Sequence, residues 1–325
     1  MIGPKVPLRT RIIVLGAVVV LGGATTIFFL TKQEPPVPAL TAQTIEMPGE
    51  PQALVVDQDT VWATIGSDST LVPVDIETAE VGDAINLGEL PGDVEVAGGL
   101  VWVGFIEGTT ILRVDPVTKQ VIGDAEVGRT PQSLAAGAEQ LWVTSIDDGE
   151  LWPIDLTTGE PGSPIKLKEG FPSDVAVGFG SLWVSDVVSD EVIRVDEVTG
   201  DVQARIDVGT APTSIAVGEG FVWTANFNDS TVTKIDPTAN ATVGNPIIVG
   251  GEASGIATGE GFVWVTRADS DSLIRIDPET TEWTGEVFQV GDSPHGVTVG
   301  AGSVWVANQE GRSLSRFDLT TSRSE

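Results

Sequence analysis

The sequence predicts an all-β fold: a seven-bladed β-propeller, with its last blade closed by the N-terminal strand, preceded by a single N-terminal transmembrane helix. Three observations lead to this prediction. A tryptophan recurs seven times at steps of 40 or 41 residues, and an aspartate follows each one thirteen residues later. Each repeat reads as four short β runs divided by turn residues, with no helical periodicity. Four-stranded units repeated radially form the blades of a propeller.

The repeat is marked by three residue types at fixed positions. The tryptophans are Trp62, Trp102, Trp142, Trp183, Trp223, Trp264 and Trp305. The aspartates are Asp75, Asp115, Asp155, Asp196, Asp236, Asp277 and Asp318. Eleven residues ahead of the tryptophans stand Pro51, Pro91, Pro131, Pro172, Pro212, Ala253 and Pro294. A large aromatic at a fixed strand position predicts packing between neighbouring blades, and an aspartate at a strand end predicts a turn former. We therefore interpret both sets as structural.

The leader contains an apolar run ahead of the repeats. Residues 12–30 carry no charge and would span about 28 Å as a helix, and Lys5, Arg9 and Arg11 precede them. We predict a short cytoplasmic N-terminus at 1–11, a transmembrane anchor at 12–31 and a Pro-rich linker at 32–41, with the propeller exported to the periplasmic or extracellular side. A cleaved signal peptide is the alternative.

The propeller is predicted over 42–320, with a short C-terminal tail at 321–325. The seventh repeat ends just after its third β run, whereas Thr44 to Met47 form a β run that precedes the first repeat. The N-terminal run is therefore expected to supply the outer strand of the last blade, which removes two open sheet edges.

Charge limits the partners of this domain. The chain has 17 basic and 47 acidic residues, and residues 1–32 hold four basic and no acidic ones, so the remainder carries 13 − 47 = −34. Such a domain repels nucleic acid and favours basic protein partners or cations. The absence of cysteine excludes disulfides and thiolate catalysis.

One further repeat position gives two expectations. Two residues before the aspartate stand five cations, which we expect to pair with nearby acids: Arg113, Arg194, Lys234, Arg275 and Arg316. Pro73 and Pro153 hold this position in the first and third repeats and predict a local irregularity of the sheet there.

Several repeats resemble a known family. The runs VWTANFNDSTVTKIDPT, LWVSDVVSDEVIRVDEVTG and VWVANQEGRSLSRFDLTT resemble YVTN-type β-propeller repeats, and PHGVTVGAGSVWV resembles the repeats of the streptogramin (virginiamycin B) lyases. The resemblance covers 48–320 and implies the propeller fold. It also implies that related enzymes are metal-dependent and use histidine and glutamate residues on one face of the ring.

The candidate binding residues lie where the chain enters the innermost strands. His295 is the single histidine, and one histidine does not supply the family's pair. Asp93 and Asp174 fall at neighbouring positions, with Arg129 in the loop before the third repeat. These four are candidates for the mouth of the central channel. Trp152 and Trp283 lie outside the repeated tryptophan position and are candidate exposed anchors for a partner.

The leading functional prediction is a non-enzymatic, membrane-anchored scaffold subunit without a cofactor or a metal site. It would dock other membrane-protein subunits, or a basic soluble protein such as a c-type cytochrome in an electron-transfer complex. One alternative is a lyase-like enzyme that uses His295 with Asp93 or Asp174. The other is a sensor ectodomain that binds a small ligand or cation in the channel.

Overall fold

The chain folds into a seven-bladed β-propeller. In the computed structural model, residues 12–21, 24–33, 40–167, 170–319 are described. Seven antiparallel sheets follow one another along the chain, and the first strand of each blade contacts the first strands of the two adjacent blades. The first strand of blade 7 contacts that of blade 1, so the ring is closed. The predicted fold class is confirmed for this part of the chain.

Each blade contains an inner, a second, a third and an outer strand. The inner strands are Pro51–Asp57, Pro91–Ala97, Pro131–Ala136, Pro172–Gly178, Pro212–Gly218, Ala253–Gly259 and Pro294–Gly300. The second strands are Thr60–Ile65, Leu100–Phe105, Gln140–Ser145, Ser181–Asp186, Phe221–Asn226, Phe262–Arg267 and Ser303–Asn308. The third strands are Thr70–Asp75, Thr110–Asp115, Glu150–Asp155, Glu191–Asp196, Thr231–Asp236, Ser272–Asp277 and Ser313–Asp318.

The outer strands vary more in length. They are Ile85–Asn86, Gln120–Glu126, Ile165–Lys166, Val202–Asp207, the pair Ala241–Thr242 and Ile247–Ile248, Glu282–Gln289 and, for blade 7, Gln43–Glu46. A 3-10 turn at Ala268–Ser270 lies between the second and third strands of blade 6. Because successive strands alternate in direction, the ring has two faces. We call the face with the loops from second to third strands the loop face, and the opposite one the turn face.

The N-terminal strand closes the last blade, as predicted. Gln43–Glu46 pairs antiparallel with the third strand of blade 7, from Gln43↔Arg316 to Glu46↔Ser313. Ile45 is only 5% exposed and packs in the core between blades 7 and 1. The ring is thus closed by strand pairing between its two ends and not by a covalent link.

The seven repeated tryptophans form the blade interfaces, as predicted. Each is at most 3% exposed. Trp62 packs with Val94 and Val101 of the next blade, and Trp305 packs with Val61 of blade 1. Burial of about 200 Å² per indole contributes about 5 kcal/mol before entropy is counted. These rings are therefore core residues and not stacking platforms.

The cations of the third strands do not behave as predicted. Arg194 lies opposite Trp183 in the strand pairing, and its guanidinium is 4.9 Å from the indole centroid. Its Nη1 donates to the Pro237 carbonyl in the next blade, as Lys234 Nζ does to the Pro278 carbonyl at 2.7 Å. Arg275 does pair with an acid, namely Glu286. The expected acid pairing is wrong because the cations lie over the tryptophans and reach the carbonyls of the next blade.

The repeated aspartates shape the turns that follow the third strands. Asp75 Oδ1 accepts hydrogen bonds from the Thr78 N–H at 2.7 Å and the Thr78 hydroxyl at 2.8 Å. Equivalent backbone bonds to the aspartate are made in the next five blades. These hydrogen bonds lower the pKa of Asp75, as they do at Asp115, Asp155 and Asp196. The structure shows the predicted turn-forming role for these six aspartates.

The two prolines of the third strands mark the expected irregularity on one side of the strand only. Pro73 stays in register opposite Trp62, and Pro153 opposite Trp142. Towards the outer side, however, blades 1 and 3 have only a two-residue strand and an isolated bridge. Proline has no N–H to donate to the outer strand, which accounts for the interruption.

The leader differs from its prediction. Ile12–Leu21 and Ala24–Gln33 are paired as an antiparallel hairpin, from Ile12↔Gln33 to Leu21↔Ala24. Their many β-branched residues favour extended backbone. Among the described residues there is no helix with the length and apolar character needed to cross a bilayer. The membrane-anchor role of this segment stays a prediction, and residues 34–39 and 320–325 lie outside the described residues.

Candidate functional site

The inner strands form the wall of a central channel, and all seven contain a β-bulge near their start. The strand register shifts immediately after the first residue, for example between Pro91 and Val94 and between Pro172 and Asp174. The bulge turns the second and third residues of each strand towards the ring axis. They line a cavity of about 420 Å³ at the loop face. These wall positions are Gln52-Ala53, Gly92-Asp93, Gln132-Ser133, Ser173-Asp174, Thr213-Ser214, Ser254-Gly255 and His295-Gly296.

The second strands support these bulges with small hydroxyl residues. Thr64 Oγ1 accepts the Ala53 N–H at 3.0 Å, and Thr144 Oγ1 accepts the Ser133 N–H at 3.0 Å. In blade 2 the supporting position is Gly104, where a Cβ would lie 2.5 Å from the Pro131 carbonyl oxygen. In these three blades the small residue two positions after the tryptophan therefore supports the channel wall.

Asp93 and Asp174 are the acids of the wall, and both are held by neighbouring blades. Asp93 Oδ2 accepts the Leu134 N–H of blade 3 at 2.9 Å. Asp174 Oδ1 accepts the Ser133 hydroxyl of blade 3 at 2.7 Å, and its Oδ2 accepts the Ile215 N–H of blade 5 at 2.8 Å. The carboxylates of blades 2 and 4 thus flank the inner strand of blade 3.

The surroundings of these carboxyls oppose their ionisation. Burial in the wall and the nearby charge of Asp174 raise the pKa of Asp93 to about 8, although two backbone N–H groups act in the opposite direction. Burial also raises the pKa of Asp174, against hydrogen bonds from Ser133 and Ile215. At neutral pH the pair therefore retains a proton.

Two residues of this site were missed by the sequence reasoning. Ser133 occupies the same repeat position as Asp93 and Asp174, 40 residues after the first and 41 before the second, so an alignment of the repeats could have found it. Glu95 lies two residues beyond Asp93 on the same inner strand, and burial raises its pKa to about 7. Nothing in the sequence marks Glu95 apart from its place on an inner strand.

His295 lies in the channel wall, where the sequence placed it. Its ring Nδ1 is 3.2 Å from the Ser293 carbonyl oxygen, and the side chain is partly exposed. It is therefore held by its own loop and lines the same cavity as Asp93 and Asp174.

Arg129 is not brought together with these residues. Its guanidinium donates to Asp148 Oδ1 through Nε at 2.9 Å and Nη2 at 2.7 Å, and its side chain is 59% exposed. It ties together two loops of blade 3 on the loop face and does not line the cavity.

The two additional tryptophans are partly covered by their own blades, and their role as partner anchors stays a prediction. Trp152 packs against the core between blades 2 and 3. Trp283 packs between blades 5 and 6, donates to the Glu286 carbonyl at 3.1 Å, and has the Arg267 guanidinium 5.5 Å from its ring centroid. Both are half-buried because their blades use them to cover the outer part of a sheet.

The donor set does not fit a metal of the kind that the family resemblance implies. Within the described ranges, no group of three histidine, cysteine, aspartate or glutamate side chains is placed to hold a metal ion. The wall offers one histidine and two carboxyls that are already engaged by backbone N–H and hydroxyl donors. We therefore derive no step through a metal.

Comparisons with known proteins identify the fold. No family model matches the chain, and no curated protein matches it by sequence. Among solved structures, virginiamycin B lyase from Staphylococcus aureus has a TM-score of 0.76 at 16% identity, covering 86% of this chain and 99% of the lyase. Kuenenia stuttgartiensis hydrazine synthase has a TM-score of 0.74 at 16% identity, covering 83% and 95%.

A chain of the mitotic checkpoint complex is also similar, with a TM-score of 0.76 at 11% identity and coverage of 88% and 98%. These likenesses join two enzymes with a chain of a protein complex, all at 16% identity or less, so they establish architecture and not activity. The chain is a seven-bladed β-propeller similar in fold to the streptogramin B lyases.

Proposed function

We propose that this protein is a membrane-anchored docking propeller on the exported side of a membrane, without a catalytic role of its own. The observation that carries the proposal is the place where the leader joins the ring. Gln43 pairs with Arg316 and Glu46 pairs with Ser313, which directly follows a loop of the loop face. The chain therefore reaches the ring at the turn face, and Leu40 and Ala42 pack against the core between blades 6 and 7.

This geometry separates the leader from the candidate site. Between the predicted anchor at 12–31 and Leu40, residues 32–39 can span at most about 28 Å when extended, so the anchor would keep the turn face close to the membrane. The channel mouth opens on the loop face, on the other side of the ring. A partner in the aqueous compartment would then meet the loop face first.

The apolar leader supports the anchor. A helix satisfies its own backbone groups inside a bilayer, whereas a two-stranded hairpin leaves the outer edges of both strands unpaired. In a membrane the run at 12–31 is therefore expected to be helical. The three arginine and lysine residues ahead of it keep the N-terminus cytoplasmic.

The charge of the loop face indicates the chemistry of the partner. Its acids are Glu50, Asp68, Glu89, Glu107, Asp147, Asp148, Asp190, Asp229, Glu252, Asp269, Asp271, Asp292 and Glu310. Three exposed cations on this face each pair with a carboxylate, as Arg129 does with Asp148, Lys166 with Glu150 and Arg312 with Glu50. The remaining acidic surface fits a basic protein, including a basic electron carrier in an electron-transfer complex.

The lyase alternative receives less support from the site. Its two acids stabilise the wall through hydrogen bonds to adjacent blades, and its single histidine binds its own loop. A likeness of 16% identity to a lyase extends to fold only.

The test is mild-detergent extraction from native membranes, followed by identification of the proteins that co-purify. We expect a basic partner that is retained at low salt and released at about 1 M salt, where the Debye length falls to about 3 Å. Asp68→Lys on the loop face should weaken its retention, whereas Glu77→Lys on the turn face is the matched control and should not. Recovery of free monomer alone at low salt would contradict the docking role, and recovery in the soluble fraction would contradict the anchor.

A further inference from the structure

The channel wall contains an arrangement that the docking role does not use. In blades 2, 3 and 4 the third residue of the inner strand is Asp93, Ser133 and Asp174, in that order. Each blade of this arc is connected to the next through these side chains. Asp93 bonds the Leu134 N–H, Ser133 bonds Asp174, and Asp174 bonds the Ile215 N–H of blade 5.

The rest of the ring is connected differently. At the equivalent position blades 1, 5, 6 and 7 have Ala53, Ser214, Gly255 and Gly296, none of which is titratable. Blades 4 and 5 are also linked by the Ser173 hydroxyl to the Pro212 carbonyl at 3.0 Å, and blades 6 and 7 by the Ser254 hydroxyl to the Pro294 carbonyl at 2.7 Å. Among the wall residues that the structure describes, carboxyl groups make these connections in the arc from blade 2 to blade 5 alone.

The charged groups around the pair leave its repulsion uncompensated. Asp93 is accompanied by Glu95 on its own strand and by Asp174 on blade 4, while the blade 3 strand between them presents only Gln132 and Ser133. From blades 1, 5 and 6 the wall contributes no ionisable side chain, and blade 7 contributes His295. Among the described residues that line the cavity there is no lysine or arginine.

We propose that Asp93 and Asp174 form a protonation-controlled latch in the channel wall. With a proton on the pair, the two carboxyls hold the inner strands of blades 2 to 5 together. When both are ionised, their repulsion across the Ser133 strand loosens this arc and opens the wall locally. The latch thus couples the width of the channel mouth to pH.

The sign of the effect follows from proton binding. In the closed wall Asp93 binds its proton up to a pKa of about 8, whereas in an opened, hydrated wall the carboxyl returns towards its ordinary value of 3.8. Opening therefore releases a proton between these values. The equilibrium constant for opening should rise with pH by up to about tenfold per pH unit, and level off above a pH of about 8.

Hydrogen exchange of the full chain in detergent tests the latch without any variant. The Leu134 and Ile215 amides donate directly to the carboxylates of the preceding blade. The equivalent amides of Leu54 and Ile256 follow blades 7 and 5, which have the uncharged residues Gly296 and Ser214 at the wall position. After correction for the chemical exchange rate, we expect the opening constants at Leu134 and Ile215 to rise about tenfold per unit between pH about 5.5 and 7.5. Those at Leu54 and Ile256 should stay constant. An equal pH dependence at all four amides would overturn the proposal.

Two variants assign the effect to the pair. Asp93→Asn removes the ionisation and should abolish the pH dependence at Leu134. Glu95→Gln removes the neighbouring carboxyl and should retain it. Infrared spectra at neutral pH should show protonated carboxyl absorption in the wild type that is reduced in Asp93→Asn, where Glu95, whose pKa is about 7, still contributes. Persistence of the pH dependence in Asp93→Asn, or loss of it in Glu95→Gln alone, would assign the titration to another group and refute the latch.

Discussion

Replacement of Ile45 by alanine is expected to weaken the ring at its point of closure. Ile45 is the buried side chain of the four-residue strand that completes blade 7, and it lies opposite Leu314. Ile206 is the matched control. It is also 5% exposed, and it lies opposite Val192 at the same position in the outer strand of blade 4. Ile206→Ala thus removes the same side chain from a strand that is held covalently at both ends within the ring.

The magnitude follows from the burial of the two side chains. An isoleucine truncated to alanine in a packed core costs about 2 to 5 kcal/mol, so both variants should lose stability in this range. The closing strand can also detach without unfolding the other strands of blade 7. In Ile45→Ala the whole loss of about 2 kcal/mol or more then reduces the free energy needed for the closing strand to detach. The population with a detached strand therefore increases about 30-fold or more.

Cleavage after Glu46 by a glutamate-specific protease measures the local opening, because this residue lies inside the closing strand. Under native conditions Ile45→Ala should be cleaved about 30-fold faster than wild type or more, while Ile206→Ala should stay close to wild type. Denaturant unfolding followed by tryptophan fluorescence gives the global loss for both. If both variants accelerate cleavage after Glu46 equally, opening is global and the reasoning is refuted. Deletion of 42–48 should likewise cost far more stability than removal of 322–325.

Three further changes test the interfaces and turns. Trp183→Ala should lower the free energy of unfolding by about 3 to 5 kcal/mol, and replacement of the half-buried Trp283 by alanine should lower it by clearly less. Denaturant unfolding measures both losses, and equal losses would contradict the assignment of the repeated tryptophans to the core. Arg194→Ala should lower the free energy of unfolding by about 2 to 3 kcal/mol, because it removes the contact with the tryptophan ring and the hydrogen bonds to blade 5. For the exposed Arg312, replacement by alanine should cost less than about 0.5 kcal/mol. The depressed pKa of Asp115 stabilises the fold above 3.8 and loses this effect as pH falls through the folded value. Asp115→Asn should therefore lower the melting temperature at neutral pH and reduce its further fall below a pH of about 4, and an unchanged acid profile would argue against the turn role.

The sequence was sufficient for the features that recur in every blade. The tryptophan and the aspartate predicted the interfaces and the turns, because each has the same physical role in all copies. The missing outer strand of the seventh repeat predicted the closure, because every other repeat has that strand. The partners of the third-strand cations could not be predicted in this way. Acids are abundant in the sequence, but a cation two residues before a turn lies opposite the tryptophan of the second strand, and only the strand register shows this.

The candidate site was predictable in its location but not in its chemistry. The sequence placed His295, Asp93 and Asp174 near the channel, because all three follow the residue that starts an inner strand. It did not show that the two acids bond the backbone of neighbouring blades, since those contacts depend on the bulge and on the twist of the ring. For the same reason Trp152 and Trp283 looked like exposed anchors, although the outer part of their sheets covers them.

The wall positions differ from the rest of the repeat for a physical reason. The bulge removes the second residue of each inner strand from the strand pairing, and in blades 1, 2, 3 and 7 the third residue as well. In blades 1 and 3 a hydroxyl of the second strand accepts the bulged N–H. Different side chains therefore stand at the wall in different blades of the same ring, and glutamine, glycine, serine, threonine, aspartate and histidine all occur there. Gly255 and Gly296 are exceptions, because a Cβ at these positions would lie 2.2 and 2.7 Å from a carbonyl oxygen of the next blade. Because the other wall positions vary from blade to blade without loss of the ring, they are where propellers of one architecture can acquire different chemistry. A likeness in fold both to enzymes and to a chain of the mitotic checkpoint complex is then the expected result of a common frame, and within this ring the acids of blades 2 and 4 are the carboxyls that the wall positions carry.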